Sequence, residues 1–172
     1  MKLHELPARA EEGFHVVVES PRGSPLKLVY DPESGAVFGG RALPLGLAYP
    51  YDWGFVPGTR APDGDPLDAL VYWDVPSFPG VVLRCRLLGA LQLEQDEEGG
   101  ERVRNDRVIA VPLGHVRGDD VRAVGELSPR VRDELAHFFT SAVYFNAKNP
   151  KVLGWSDPAA AERLVEEHRA KR

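Results

Sequence analysis

Short apolar runs, broken by proline, glycine and polar turns, dominate the chain up to about residue 112. That punctuation favours strands over long helices. FHVVVE (residues 14–19) and LKLVY (26–30) read as strands, and DPESG (31–35) then offers proline and glycine for a tight hairpin. AVF, WGFV, DALVYW, VVLRCRL, GALQLE and RVIAV continue the β pattern. The polar stretch QDEEGGERVRN, ahead of the last of them, reads as a turn or hairpin loop. The period changes in SPRVRDELAHFFTSAVYF, where Ser128 can cap and Pro129 suits a first helical position. Val131, Leu135, Phe138, Phe139, Ala142 and Val143 then share one helical face. Asp157 and Pro158 repeat that start for a second helix running to Arg172. The pattern predicts a β-barrel or strongly curved sheet with two late helices, an α+β chain that is mainly β.

With 172 residues, no internal repeat and no linker-like tract, the chain reads as one domain over residues 1–172. Its net charge of −5 argues against a nucleic-acid or acidic-membrane surface, which needs a basic face. Cys85 is the single cysteine, so no internal disulfide can form, and its apolar neighbours make it a core residue of a strand. No apolar run is long enough to span a bilayer, and MKLHELPARAEEGF lacks the apolar stretch of a secretory signal. The expectation is a cytoplasmic protein.

Chemistry concentrates in APDGDPLDALV (residues 61–71), where Asp63, Asp65 and Asp68 fall within six positions. Their mutual repulsion is unfavourable unless something positive lies among them. A surface turn is one reading, since Asp, Gly and Pro are turn formers. An EF-hand calcium loop fails, because Pro66 and Leu67 fill positions a ligand loop needs and Asp68 stands where its sharp-turn glycine belongs. The other open reading is magnesium, which takes hard oxygen ligands, keeps several waters and shares substrate phosphates. With no Cys or His cluster nearby, zinc is a poor candidate. Carboxylate-held magnesium commonly serves phosphoryl transfer.

DGDPLD matches the D-x-D-P-x-D signature of the family I soluble inorganic pyrophosphatases. The resemblance continues in order through VVVESPRGSPLKL, DPESGAVF and LAYPYDWGFVPGT ahead of the signature, and through PGVVLRCRLLGAL, VIAVP, ELAHFF and GW behind it. It implies an OB-like five-stranded β-barrel with flanking C-terminal helices. It also implies magnesium-dependent hydrolysis of pyrophosphate to two phosphates, by in-line attack of a metal-activated water. A homo-oligomer is implied too, commonly a hexamer in bacterial members, with His137 either at a subunit contact or an ordinary core or surface histidine.

By the same resemblance, Asp63 and Asp68 hold magnesium, and Asp65 joins that metal set and orients or deprotonates the attacking water. Lys27, Arg41 and Arg107 hold phosphate oxygens, and Tyr49 donates a hydrogen bond in the same cleft. Asp96 matches a further metal-binding aspartate, with Glu97 or Glu98 as alternatives, while Glu19, Trp53 and Asn105 support the site. Several positions depart from the family. Val29 replaces a glutamate, Trp53 a tyrosine and Asn105 a metal carboxylate, and Ala142 and Val143 replace a phosphate-binding Tyr-Lys pair. Lys148, Lys151, Arg102 and Arg104 are the candidates to compensate. The departures keep two alternatives open: a related hydrolase of another phosphoanhydride or phosphate ester, and a non-catalytic phosphate-binding module.

Overall fold

The computed structural model describes residues 2–115 and 120–170. Within them the elements run β1 (Phe14–Ser20), β2 (Leu26–Tyr30), β3 (Val37–Ala42), β4 (Asp52–Phe55), β5 (Asp68–Val71), β6 (Val82–Asp96), β7 (Arg102–Arg104), β8 (Arg107–Pro112), α1 (Pro129–Ser141), β9 (Lys151–Ser156) and α2 (Pro158–Glu167). Strands β1, β4, β5, β8 and β6 pair in that order, and β6 returns to β1. Five strands thus close on themselves, the OB-like arrangement expected from the sequence. Every step round the ring is antiparallel except β5–β8, which is parallel. Strands β7 and β9 add to β6 outside the ring, while β2 and β3 form a separate hairpin.

Sequence pattern divides VVLRCRL from GALQLE, but the structure joins them into the single long strand β6. The join is a bulge: Leu87 pairs with Ala110 and Gly89 with Ile109, leaving Leu88 as the extra residue. Gly89 has φ +143, and a Cβ there would lie 2.2 Å from the Ser156 carbonyl oxygen. Only glycine satisfies both demands. Gly54 in β4 answers a different one, close backbone approach, since a Cβ there would meet the Val17 carbonyl oxygen at 1.8 Å.

Neighbouring residues of β5 and β8 enter two different cores, which is why both strands are apolar without alternation. Ala69, Val71, Val108 and Ala110 pack with Ala161 and Val165 of α2. Leu70, Ile109 and Val111 pack with Leu135, Phe138 and Phe139 of α1. Fully burying side chains of this size contributes roughly 1.5–3 kcal/mol each.

Both helix starts follow the expected chemistry. Ser128 Oγ accepts a hydrogen bond from the Val131 N–H at 3.2 Å, and Asp157 Oδ1 accepts one from the Ala160 N–H at 2.7 Å. The α1 helix stops at Ser141, before the predicted Val143, and a 3-10 turn over Tyr144–Asn146 leads to Ala147 in the left-handed region. Strand β9 arises where the sequence carried no strand signal. The last two residues of the predicted second helix, Lys171 and Arg172, lie outside the described residues.

Gly89→Ala should lower unfolding stability by at least about 2 kcal/mol in urea titration, through left-handed strain and backbone overlap. Gly125→Ala, with nothing within 4 Å of its added Cβ, should stay within about 0.5 kcal/mol of the parent.

Candidate active site

The parallel register of β5 and β8 sets Ala69 beside Val108, so Asp68 and Arg107, one residue earlier, start the two strands side by side. Their side chains form an ion pair, and Arg107 also donates to Asn105 Oδ1. Two aromatic rings cover the guanidinium, Trp53 at 5.4 Å and Phe139 at 6.0 Å from its central carbon. Burial pushes Arg107 down to about 10, against the opposing pull of Asp63 and Tyr49. It therefore remains a cation at neutral pH. Two buried donors here, Arg107 Nε and Trp53 Nε1, have no acceptor among the described residues.

Asp63 and Asp65 lie on the exposed loop leading into β5, where the Asp65 N–H donates to Asp63 Oδ1 at 3.2 Å. Partial loss of water pushes the Asp63 carboxyl above its ordinary range. Asp65 and Glu97 add to that push, while the Asp65 N–H and Arg107 oppose it.

The β2–β3 hairpin brings further charges over the ring. Burial pushes the Lys27 ammonium below its ordinary range, Arg107 and Arg41 push the same way, and Glu19 and Asp65 counter them. Glu19, at the end of β1, accepts a hydrogen bond from the Tyr30 N–H at 2.7 Å, yet burial holds its carboxyl above the usual range. Arg41 Nη1 donates to the Ala142 carbonyl at 2.8 Å, tying β3 to the end of α1. Tyr49 is buried, stacks on Trp53 at 5.9 Å and meets Phe138 edge-on at 5.4 Å. Burial lifts its hydroxyl to about 12, so it is a donor at any physiological pH. Val29 is exposed on the same strand face as Lys27, two residues on.

Asp96 goes elsewhere. Its carboxylate receives Arg102 Nη1 and Asn149 Nδ2, each at 2.7 Å, and these bonds hold it below the usual range. Its neighbour Glu97, just past the end of β6, acts electrostatically on Asp63 instead. Lys148 Nζ reaches Glu97 at 2.5 Å. Of the other candidate compensating cations, Arg102 pairs with Glu94 and Asp96, Arg104 with Asp106, and Lys151 lies 3.9 Å from Glu94. Sequence reasoning missed the part Phe139 plays over Arg107. The second aromatic of HFF, falling on the buried side of α1, was the available signal.

Among the described residues, no three His, Cys, Asp or Glu side chains converge as a ready metal cage. The donors do fit a hydrated hard cation: they are carboxylate oxygens, and Asp63 is pushed up first by partial loss of water and then by the neighbouring charge of Asp65, which such an ion would offset.

Residues 16–172 match the family described as inorganic pyrophosphatase. The chain belongs to the inorganic pyrophosphatase family. It is 43% identical to the inorganic pyrophosphatase of Thermus thermophilus, across 98% of this chain and 94% of that protein. With the Synechocystis inorganic pyrophosphatase it shares 38% identity, across 97% and 96%. The crystal structure of the Thermus thermophilus enzyme superposes with a TM-score of 0.88, covering 96% of this chain and 95% of that one. The Helicobacter pylori enzyme gives 0.85, covering 95% of each. As a member of the inorganic pyrophosphatase family the chain is a metal-dependent hydrolase. The DGDPLD segment spans the loop that holds Asp63 and Asp65 and ends on Asp68, the first residue of β5, and among the described residues no helix is long and apolar enough to cross a membrane.

Glu97→Gln should weaken Mn2+ binding about tenfold, because it removes a carboxylate that acts on Asp63 and leaves its Lys148 partner unbalanced, whereas Asp96→Asn should change it less than about twofold. Titration followed by electron paramagnetic resonance measures both.

Proposed function

We propose that this chain hydrolyses inorganic pyrophosphate, with magnesium as its metal. The observation that carries the reading is the convergence of Arg107, Arg41, Glu19 and Asp65 on the half-buried Lys27 ammonium, beside the aspartate loop of a pyrophosphatase-family chain. A highly charged anion with many acceptor oxygens suits that mixture. The phosphates meet Lys27, Arg41 and Arg107, the loop carboxylates serve the metal, and Arg can grip two oxygens at once. The Arg107 Nε and Trp53 Nε1 donors supply two more hydrogen bonds to an anion or its waters.

Bound magnesium, held by carboxylates of the Asp63–Asp65–Asp68 loop, supplies a water of lowered pKa and shields phosphate charge. The Asp65 carboxylate takes a proton from the attacking water. A new phosphorus–oxygen bond forms in line as the bridging bond breaks, and two phosphates leave. The Tyr49 hydroxyl remains protonated throughout and donates in the cleft. We also infer a cytoplasmic homo-oligomer, consistent with the solvent-open face of α1 that carries Arg130, Glu134 and His137.

A second reading, hydrolysis of another phosphoanhydride or of a phosphate ester, is favoured by Val29. An exposed apolar side chain beside Lys27 can meet an organic substituent but no metal or proton.

Phosphate release from pyrophosphate, measured with and without magnesium beside nucleotides and phosphomonoesters, tests both readings. Magnesium-dependent release from pyrophosphate, lowered about a hundredfold to ten-thousandfold in Asp65→Ala, is expected. Release from another compound alone would establish the second reading, and no release from any would leave a binding module. A pH profile tests the Lys27 assignment. Its ammonium must be charged to hold phosphate and its pKa is depressed, so KM should rise with pH from below the free-lysine range of about 10.4. Lys27→Arg should move that rise to higher pH.

A further inference from the structure

We propose that Ser20 is a positioning residue for the phosphate-holding groups: its hydroxyl fixes the Lys27–Leu28 peptide and turns the Tyr49 proton into the cleft. The inference rests on the pyrophosphate reading of that cleft. Strand β1 is irregular at its end. Val18 pairs with Gly54 and Ser20 with Trp53, so Glu19 is an extra residue, a bulge against β4. In a regular strand Glu19 and Ser20 would point to opposite faces. Here both side chains reach β2: Glu19 Oε1 accepts from the Tyr30 N–H at 2.7 Å, and Ser20 Oγ accepts from the Leu28 N–H at 2.8 Å. The β2–β3 hairpin is a sheet separate from the ring, and these two side-chain oxygens join its edge to β1.

The Leu28 N–H belongs to the peptide that follows Lys27, so Ser20 holds the backbone from which the Lys27 ammonium extends. Strand β3 has its own irregularity at the same level. Leu26 pairs with Ala42 and Leu28 with Gly39, so Lys27 stands opposite both Gly40 and Arg41. The two cations therefore leave the hairpin at neighbouring points, and the bonds from β1 set where those points lie. The Ser20 hydroxyl is fully buried, and it carries one proton besides its acceptor lone pairs. Leu28 takes a lone pair, and the proton serves the Tyr49 oxygen, favouring its ionised form against the larger opposing effect of burial. Trp53, the register partner of Ser20, stacks on Tyr49 and keeps that ring beside it. With its oxygen engaged by Ser20, Tyr49 directs its own proton toward a phosphate oxygen.

Binding of imidodiphosphate, a pyrophosphate analogue, to the full chain with magnesium tests this by calorimetry. Ser20→Ala should weaken it about tenfold, the loss expected for one hydrogen bond, while Mn2+ affinity without substrate changes less than about twofold. Because Ser20 acts through Lys27 and Tyr49, the same change made in Lys27→Ala or in Tyr49→Phe should cost only about threefold. Ser20→Thr, which keeps the hydroxyl, should bind within about threefold of the parent. Circular dichroism checks folding. If Ser20→Ala does not fold, Ser20→Cys takes its place, keeping the volume with a weaker donor and acceptor. Binding by the hydroxyl-free variant within about twofold of the parent would overturn the proposal while the pyrophosphate reading stands. An undiminished loss in both the Lys27→Ala and Tyr49→Phe backgrounds would do the same, since it marks a merely structural role. A parent that binds no imidodiphosphate would overturn both.

Discussion

One bent strand carries most of this fold. β6 pairs with β1, β8, β9 and β7, and it can serve so many partners only because its course changes at the Gly89 bulge. Before the bend it closes the ring on β1; beyond it, its later residues take β9 and β7. The same bend fixes the register of β8, and β8 in turn sets Arg107 beside Asp68. At the far end of β6, Asp96 is held by Arg102 and Asn149, and Glu97 just past the strand is held by Lys148. The placement of Asp68 beside Arg107 is therefore a consequence of backbone register.

The charges so collected do not hold the protein together. Burial pushes Glu19 up, Lys27 down and Tyr49 up, so each is kept in surroundings that oppose its ionised form. A nearly buried ion pair such as Asp68–Arg107 loses hydration on both sides, and its attraction only roughly offsets that loss. Stability comes from the two apolar cores on either side of β5 and β8, with the helices covering them. That arrangement tolerates a site whose groups wait for partners that the chain itself does not supply.

Local chemistry was legible in the sequence wherever one residue type has one physical use. Helix starts at Ser128-Pro129 and Asp157-Pro158, the strand character of residues 14–19 and 26–30, and the Cys85 core position could all be read from side chains and spacing. Resemblance supplied the ring topology, which no local pattern contains. What could not be read depends on pairing. The division of β6 into two strands followed from Gly89, whose role as a bulge exists only against Ser156 and β8. Strand β9 is formed by an edge offered by β6, not by its own propensity. The different partners of Asp96 and Glu97 were equally hidden, because consecutive acidic residues look alike until the fold brings Arg102, Asn149 and Lys148 to them.

The departures from the family pattern acquire a common sense once charges are counted. By the resemblance, Val29 and Asn105 each stand where the family carries a negative charge, and Val143 where it carries a positive one. The site is thus one unit less negative, and it asks for less cationic charge from bound metal. The planar Arg107 guanidinium engages Asp68 and Asn105 together. The Ala142 carbonyl fixes Arg41 by a bond to the backbone. Removing one of these changes alone would leave an unbalanced charge among Lys27, Arg41 and Arg107.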